Sequence, residues 1–168
     1  MRRLLDAIYG SAAALAALCM VGLLVMVLLS IAGRQLHFNV PGTDAYAGYL
    51  MAGAGFLALA HTLKRGEHIR VTLILSRLPA GGRRWLERWA TGAAMLLALL
   101  FAWFSVRLVF QSLEYHDIST GNDATPLWIP QLAMAVGTVV LAIATVDEFV
   151  LEWRGRAEAR PSEAARHE

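Results

Sequence analysis

The side chains that could do chemistry are few, and they sit at the edges of long uncharged stretches. His61, Arg107, Asp147 and Glu148 lie within or beside apolar runs. An ionisable group in such a setting is the first place to look for a proton relay, a counter-ion or a substrate contact. None of the four falls in the middle of its run, so each fits a snorkelling or interfacial role. Haem ligation would need two axial ligands on facing helices. Of His37, His61, His68, His116 and His167, only His61 is within an apolar run. The single cysteine, Cys19, excludes an internal disulfide and a multi-cysteine metal cluster. The glycine-rich patches lie in apolar runs or in a turn and lack the pattern of a phosphate-binding loop. No catalytic residue, no metal ligand and no cofactor is expected.

The elements that carry these residues are long. Residues 7–33, 45–63, 89–106 and 124–146 contain no charged side chain. Each is close to or above the roughly 20 helical residues that cross a hydrocarbon core about 30 Å thick. A soluble bundle would place charges on its wet faces every few residues. Only 17% of this chain is charged and 57% is hydrophobic, so the bilayer is its expected solvent. The predicted fold class is all-α integral membrane, with four transmembrane helices over about 11–33, 45–63, 89–110 and 127–153 in one domain, residues 1–153. Residues 154–168, rich in Arg, Glu, Ala and Pro, read as a disordered polar tail. Met1-Arg2-Arg3 and the run behind it read as a retained first helix, because the run is too long for a cleaved signal.

Local signals mark the joints. Arg34 closes the first helix. Thr43 and Asp44 offer N-cap oxygens to the second, and Asp44 suits its positive dipole end. Ala47, Gly48, Ala52, Gly53, Ala54 and Gly55 crowd the second helix, a composition that lets backbones approach closely in lipid. The loop 64–88 contains Val71, Ile74, Leu75 and Leu78 at helical spacing, which predicts a short amphipathic segment in the interface. Pro79-Ala80-Gly81-Gly82 is expected to break it. Pro130 is tolerated in the first turn of the fourth helix.

Charge sets an orientation. Of the 15 Lys and Arg, all but Arg34 and Arg107 fall at the N-terminus, in the loop 64–88 or after the fourth helix. Cytoplasmic loops concentrate Lys and Arg, so both termini are expected inside (N-in/C-in). The loops 34–44 and 110–126 are then outside. A pI near 9 therefore reflects membrane sidedness rather than nucleic-acid binding. Trp85, Trp89 and Trp153 are placed by the same logic at the inner surface, and Trp103 and Trp128 at the outer one.

Several patterns in order resemble the small membrane subunit of tripartite ATP-independent periplasmic (TRAP) transporters. Gly33-Arg34 is followed by Phe38, and Pro41-Gly42-Thr43-Asp44 opens the second helix. Phe56-Leu57-Ala58-Leu59-Ala60 leads to Lys64-Arg65-Gly66-Glu67-His68-Ile69-Arg70-Val71. Ser112 and Glu114 come after the third helix, then Pro126-Leu127-Trp128-Ile129-Pro130-Gln131 and Val136-Gly137. The resemblance covers roughly residues 4–151. Two departures are Gly53, where the family often has a bulky aromatic, and Thr72, where it often has Asp.

The resemblance implies a non-catalytic small permease subunit in the bacterial inner membrane. It would form a heterodimer with a large membrane subunit, served by a periplasmic solute-binding protein, with lipid around both. Import of an organic acid (a dicarboxylate, keto acid or sugar acid) would be coupled to sodium, with both sites in the large subunit. Arg34, Asp44, Arg65, His68, Glu114 and Pro130 are the family-motif or partner-contact candidates. Arg65 and His68 are expected to tie the interfacial segment to Asp147, Glu148 or the partner. The competing reading is a membrane anchor subunit of a redox complex, binding haem or quinone. Substrate identity and oligomeric state are not written in this chain.

Overall fold

A computed structural model describes residues 2–38, 40–65, 79–121 and 123–153. Among the described residues, four helices follow in order: α1 Arg2–Gln35, α2 Thr43–Arg65, α3 Ala80–Glu114 and α4 Trp128–Trp153. Among the described residues there is no strand, only an isolated bridge between Ile118 and Pro126 in the last loop. Three helices, α1, α3 and α4, are long and apolar enough to cross a membrane. The fourth, α2, falls short because its span is diluted by Gly, Ala, Tyr, Thr and His61. Its neighbours explain that composition, since α1 covers one side of α2 and α4 the other.

The helices form an open row in the spatial order α1–α2–α4–α3. The pairs α1·α2, α2·α4 and α4·α3 pack extensively, while α1 barely meets α4. Close contacts give the register. Gly22 lies against Leu50 and Cys19 against Gly53, and Tyr9 and Ala12 cluster with Ala60, so α1 and α2 are antiparallel. Gly53 faces Ala133, Phe56 faces Gly137 and Lys64 pairs with Asp147, so α2 and α4 run parallel. Gly92 against Phe149 and Arg88 over the Trp153 ring make α3 antiparallel to α4.

The central helix α4 works through two faces with heptad-like spacing. Ala133, Gly137, Val140, Ala144 and Asp147 face α2. Ala135, Thr138, Ala142, Thr145 and Phe149 follow the stripe toward α3, where Ala98 and Ala102 cluster with Ala142. On α3 the buried residues Ala98, Ala102, Ser105, Val109 and Ser112 alternate four and three apart. Nearly all are small, and close backbone approach through dispersion is what holds helices together in lipid. At the tightest point a Cβ on Gly137 would lie 2.5 Å from the Phe56 carbonyl carbon and oxygen. Thr138 and Thr145, buried in the same helix, return their hydroxyls to the carbonyls of Ala135 and Ala142 at 3.0 and 2.9 Å. Neither is left as an unsatisfied polar group.

The edges of the row are apolar and uncovered. Leu18, Val21, Leu24, Val25, Leu28 and Ile31 are exposed along α1, and Trp85, Trp89, Phe101, Trp103, Phe104 and Phe110 along α3. The edge helices are also the longest. At 1.5 Å per residue, the 34 residues of α1 and 35 of α3 reach about 50 Å, against roughly 35–39 Å for the 23 of α2 and 26 of α4. The added turns, residues 2–8 and 80–87, extend past the Lys64–Asp147 and Arg88–Trp153 contacts, so they project at the end that carries the basic residues.

The helix limits correct the sequence reading in three places. Residues 2–10 are helical, because Tyr9 and Ala12 continue the buried stripe of α1 against Ala60. The expected loop 64–88 is helical at 64–65 and from Ala80 onward. Pro79, extended at φ −63° and ψ 153°, is the N-cap of α3, and Ala80, Gly81 and Gly82 are its first helical residues. The Arg83 amide donates to its carbonyl at 3.0 Å, and an Arg83–Glu87 pair supports the first turns. Ser112 and Glu114 belong to the last turn of α3, and Trp103 lies about three turns inward of that end. Residues 66–78, with the expected amphipathic segment, and the tail 154–168 lie outside the described residues.

The Gly137–Phe56 contact generates a test. Gly137→Ala should push α4 away from α2 and cost about 1–3 kcal/mol, read as a lower Tm of the full chain in detergent. Gly48→Ala and Gly55→Ala, whose added Cβ meets nothing within 4 Å, should leave Tm unchanged or raise it slightly.

Candidate functional site

The polar side chains gather at the two ends of the row. At the basic end three helices meet. Lys64 of α2 pairs with Asp147 of α4, and its ammonium lies 5.1 Å from the centroid of the Tyr9 ring of α1. The pair is 19% and 28% exposed, between the surface and buried regimes, so losing one partner costs about 2 kcal/mol. The buried Glu148 and Arg65, the exposed last residue of α2, are both engaged in polar interactions. Asp147, one of the groups expected to receive Arg65 or His68, forms an ion pair with Lys64. His68 lies outside the described residues.

At the opposite end the last loop folds over the start of α2. Asp123 accepts hydrogen bonds from Tyr49 at 3.1 Å and Ser119 at 2.8 Å. A further bond joins the hydroxyls of Thr125 and Tyr46 at 3.2 Å. Ser119 and Thr125 also share a backbone bond at 2.8 Å. Gly42 makes this closure possible. It sits at φ +83°, and a Cβ there would be 3.0 Å from Asp123 Cβ and 3.2 Å from the Tyr46 ring. Hydrogen bonding from Thr125 first, and then from Ser119 and Tyr49, lowers the Asp123 pKa from 3.8 to about 2, against a smaller opposing effect of desolvation.

Two histidines terminate helices at this end. His37 and His116 are left-handed, at φ 57° and 54°. Behind them Phe38 N–H returns to Gly33 O at 3.0 Å and Asp117 N–H to Ser112 O at 3.1 Å. Both are Schellman-type endings, with His in the place glycine usually takes. Ser112 adds a side-chain bond to Asp117 at 3.2 Å.

Of the six candidates read from sequence, Arg34 and Asp44 come together. They line one open cavity of about 500 Å³ between the end of α1 and the start of α2, with Ser30, His37, Phe38 and Gly121 among its walls. Ser30 Oγ donates to Asp44 at 3.4 Å. Glu114 is the exposed last residue of α3 and Pro130 the third residue of α4, and neither lines this cavity. Arg107 is exposed on α3 and His61 half-buried on α2. Among the described residues no group of three or more His, Cys, Asp or Glu is arranged to hold a metal ion. Sequence reasoning missed Tyr9, Lys64, Tyr49 and Asp123. The signal for two of them was present, since Lys64 and Asp123 each bound an uncharged run.

The Asp123 network predicts a pH signature. Because folding lowers this pKa, its contribution to stability is full above the unfolded value near 4 and disappears as pH falls through about 2. The Tm gap between wild type and Asp123→Asn should therefore be constant above about pH 4 and close toward pH 2 in a detergent-solubilised thermal scan. A gap unchanged down to pH 2 would contradict the hydrogen-bonded carboxylate.

A search of curated proteins returned no match. The family model described as "Tripartite ATP-independent periplasmic transporters, DctQ component" matches residues 23–155, from the middle of α1 to just past α4. The chain is a membrane protein of that family, a small permease component of a tripartite ATP-independent periplasmic transporter.

Proposed function

We propose that the chain is the non-catalytic scaffold of its transporter, spanning a bacterial inner membrane four times with both termini in the cytoplasm. The observation that carries this reading is the open row of helices. Two small-residue faces fix α4 between α2 and α3, and two long apolar edges remain for other membrane components. A transport domain can move only against something held at constant depth. Long edge helices and a dense basic end supply that anchorage, since each basic residue near an anionic leaflet contributes about 1 kcal/mol. The membrane-crossing role of α2 follows from its place, because a helix sheltered by α1 and α4 does not need strongly lipophilic side chains. The opposite end, closed by Asp123 and Gly42, offers a firm platform for a periplasmic binding protein. In this reading the large subunit holds the organic acid and the sodium, and the present chain forms a heterodimer with it.

Uptake into proteoliposomes tests the assignment. Vesicles with both membrane subunits and the binding protein should accumulate a labelled dicarboxylate, keto acid or sugar acid only with an inward sodium gradient. Omitting this chain should lower the rate at least tenfold, and vesicles with this chain alone should show none. Transport by the chain alone would contradict the proposal.

A further inference from the structure

Arg107 stands on a face of α3 that the row does not use. The buried stripe of that helix passes through Ser105 and Val109. Arg107 lies midway between them in sequence, and at about 100° per residue this turns it to the opposite side of the helix. It is exposed there, among the exposed rings of Trp103, Phe104 and Phe110. Among the described residues its side chain has no ion-pair or hydrogen-bond partner.

The helix register gives its depth. The Phe56 and Phe101 rings meet with centroids 5.9 Å apart, which levels Phe101 of α3 with Phe56 of α2. Along α2, Asp44 and Lys64 mark two polar levels separated by about 30 Å at 1.5 Å per residue. Arg107 lies about 9 Å beyond Phe101 toward the Asp44 level, and about 9 Å short of reaching it. Its place at the end of an uncharged run suggests an interfacial residue, but the packing sets it deeper. A helical Cα–Cβ bond also tilts toward the helix N-terminus, and the N-terminus of α3 is at the basic end. The Cα–Cβ bond of Arg107 therefore leans toward the middle of the bilayer, away from the headgroups that a snorkelling arginine seeks.

An arginine in hydrocarbon is costly, and such residues are found paired. The row offers Arg107 nothing, so its counter-charge comes from outside the chain. The two edges differ in this respect. The exposed residues of α1 from Leu18 to Ile31 are aliphatic with no charge among them, a surface that suits acyl chains. The outer half of α3 instead presents an arginine framed by aromatic rings, the residue types that concentrate binding energy between proteins. We infer that the outer half of α3 is the face on which the large membrane subunit docks, with Arg107 paired to an Asp or Glu on a helix of that subunit. Trp103, Phe104 and Phe110 pack around the pair and keep it from lipid. The inference rests on the four-span scaffold reading for depth and for the partner.

Photo-cross-linking in native membranes that hold the whole transporter tests it. A benzoylphenylalanine replacing Trp103 or Phe110 should capture the tagged large subunit at least tenfold more than one replacing Leu24 of α1. Arg107→Gln should lower the large subunit that co-purifies with this chain at least tenfold, and Arg107→Lys, which keeps the charge, should recover most of it. Because residue 107 is exposed, both variants purified alone should keep the wild-type yield and helical circular dichroism. Capture of lipid or of a second copy of this chain at 103 and 110, with the large subunit captured at 24, would overturn the inference and leave the scaffold reading standing. Full co-purification with Arg107→Gln would overturn the ion pair. A wild-type chain that brings down no large subunit would overturn the inference and the scaffold reading together.

Discussion

The backbone contact between Gly137 and Phe56 is the constraint on which the row depends. With no side chain at residue 137, α4 sits directly on the α2 main chain. Two parallel helices at that distance leave no room for large side chains between them. Ala133, Ala60 and Ala144 above and below are correspondingly small. In lipid no water is expelled when helices meet, so many short dispersion contacts replace the hydrophobic effect. The same logic explains Gly53. It lies beneath Cys19, whose sulfur would be 3.2 Å from an added Cβ, and beside Ala133 at 3.5 Å. An aromatic there would push apart three helices at once.

From this seam the rest follows in order. Because α2 is covered on two sides, it carries Gly, Ala, Tyr and His61 instead of the Leu and Val of α1. Because α4 is used on two sides, it has the most buried span of the three strongly apolar helices. The edge helices α1 and α3 pack on one side only and are long, aliphatic in the first case and aromatic in the second. The ends are then fixed by polar chemistry: Lys64, Asp147 and Tyr9 at the basic end, Asp123 and its hydroxyl donors at the other.

Much of this was legible in the amino-acid order. Four uncharged runs marked four helices, and the small residues of the second marked it as a packing centre. Family-like motifs at the helix joints pointed to the transporter component that the family match shows. Charge spacing did not carry the helix limits. Arg83, Arg84 and Glu87 look like loop residues, yet they form helical turns that project beyond the α2–α4 contact, where charges are tolerated. Spatial order was not legible either, because a 4-3 spacing of small residues shows that a helix packs but not on which neighbour. The roles of His37 and His116 were hidden for a different reason. A left-handed C-terminal residue is usually Gly or Asn, so a histidine there gives no sign of a helix end.

The central claim is that α2 and α4 are adjacent and parallel, while α1 and α3 stand at opposite edges. Disulfide trapping in native membranes tests it most directly. In a Cys19→Ala background, Gly53→Cys with Ala133→Cys places two Cβ atoms about 3.5 Å apart, within the range a disulfide spans. Mild oxidation should cross-link α2 to α4 in most molecules, and Leu18→Cys with Phe101→Cys should give none. A cross-link between residues 18 and 101, with no link between 53 and 133, would show a closed bundle and contradict the open row.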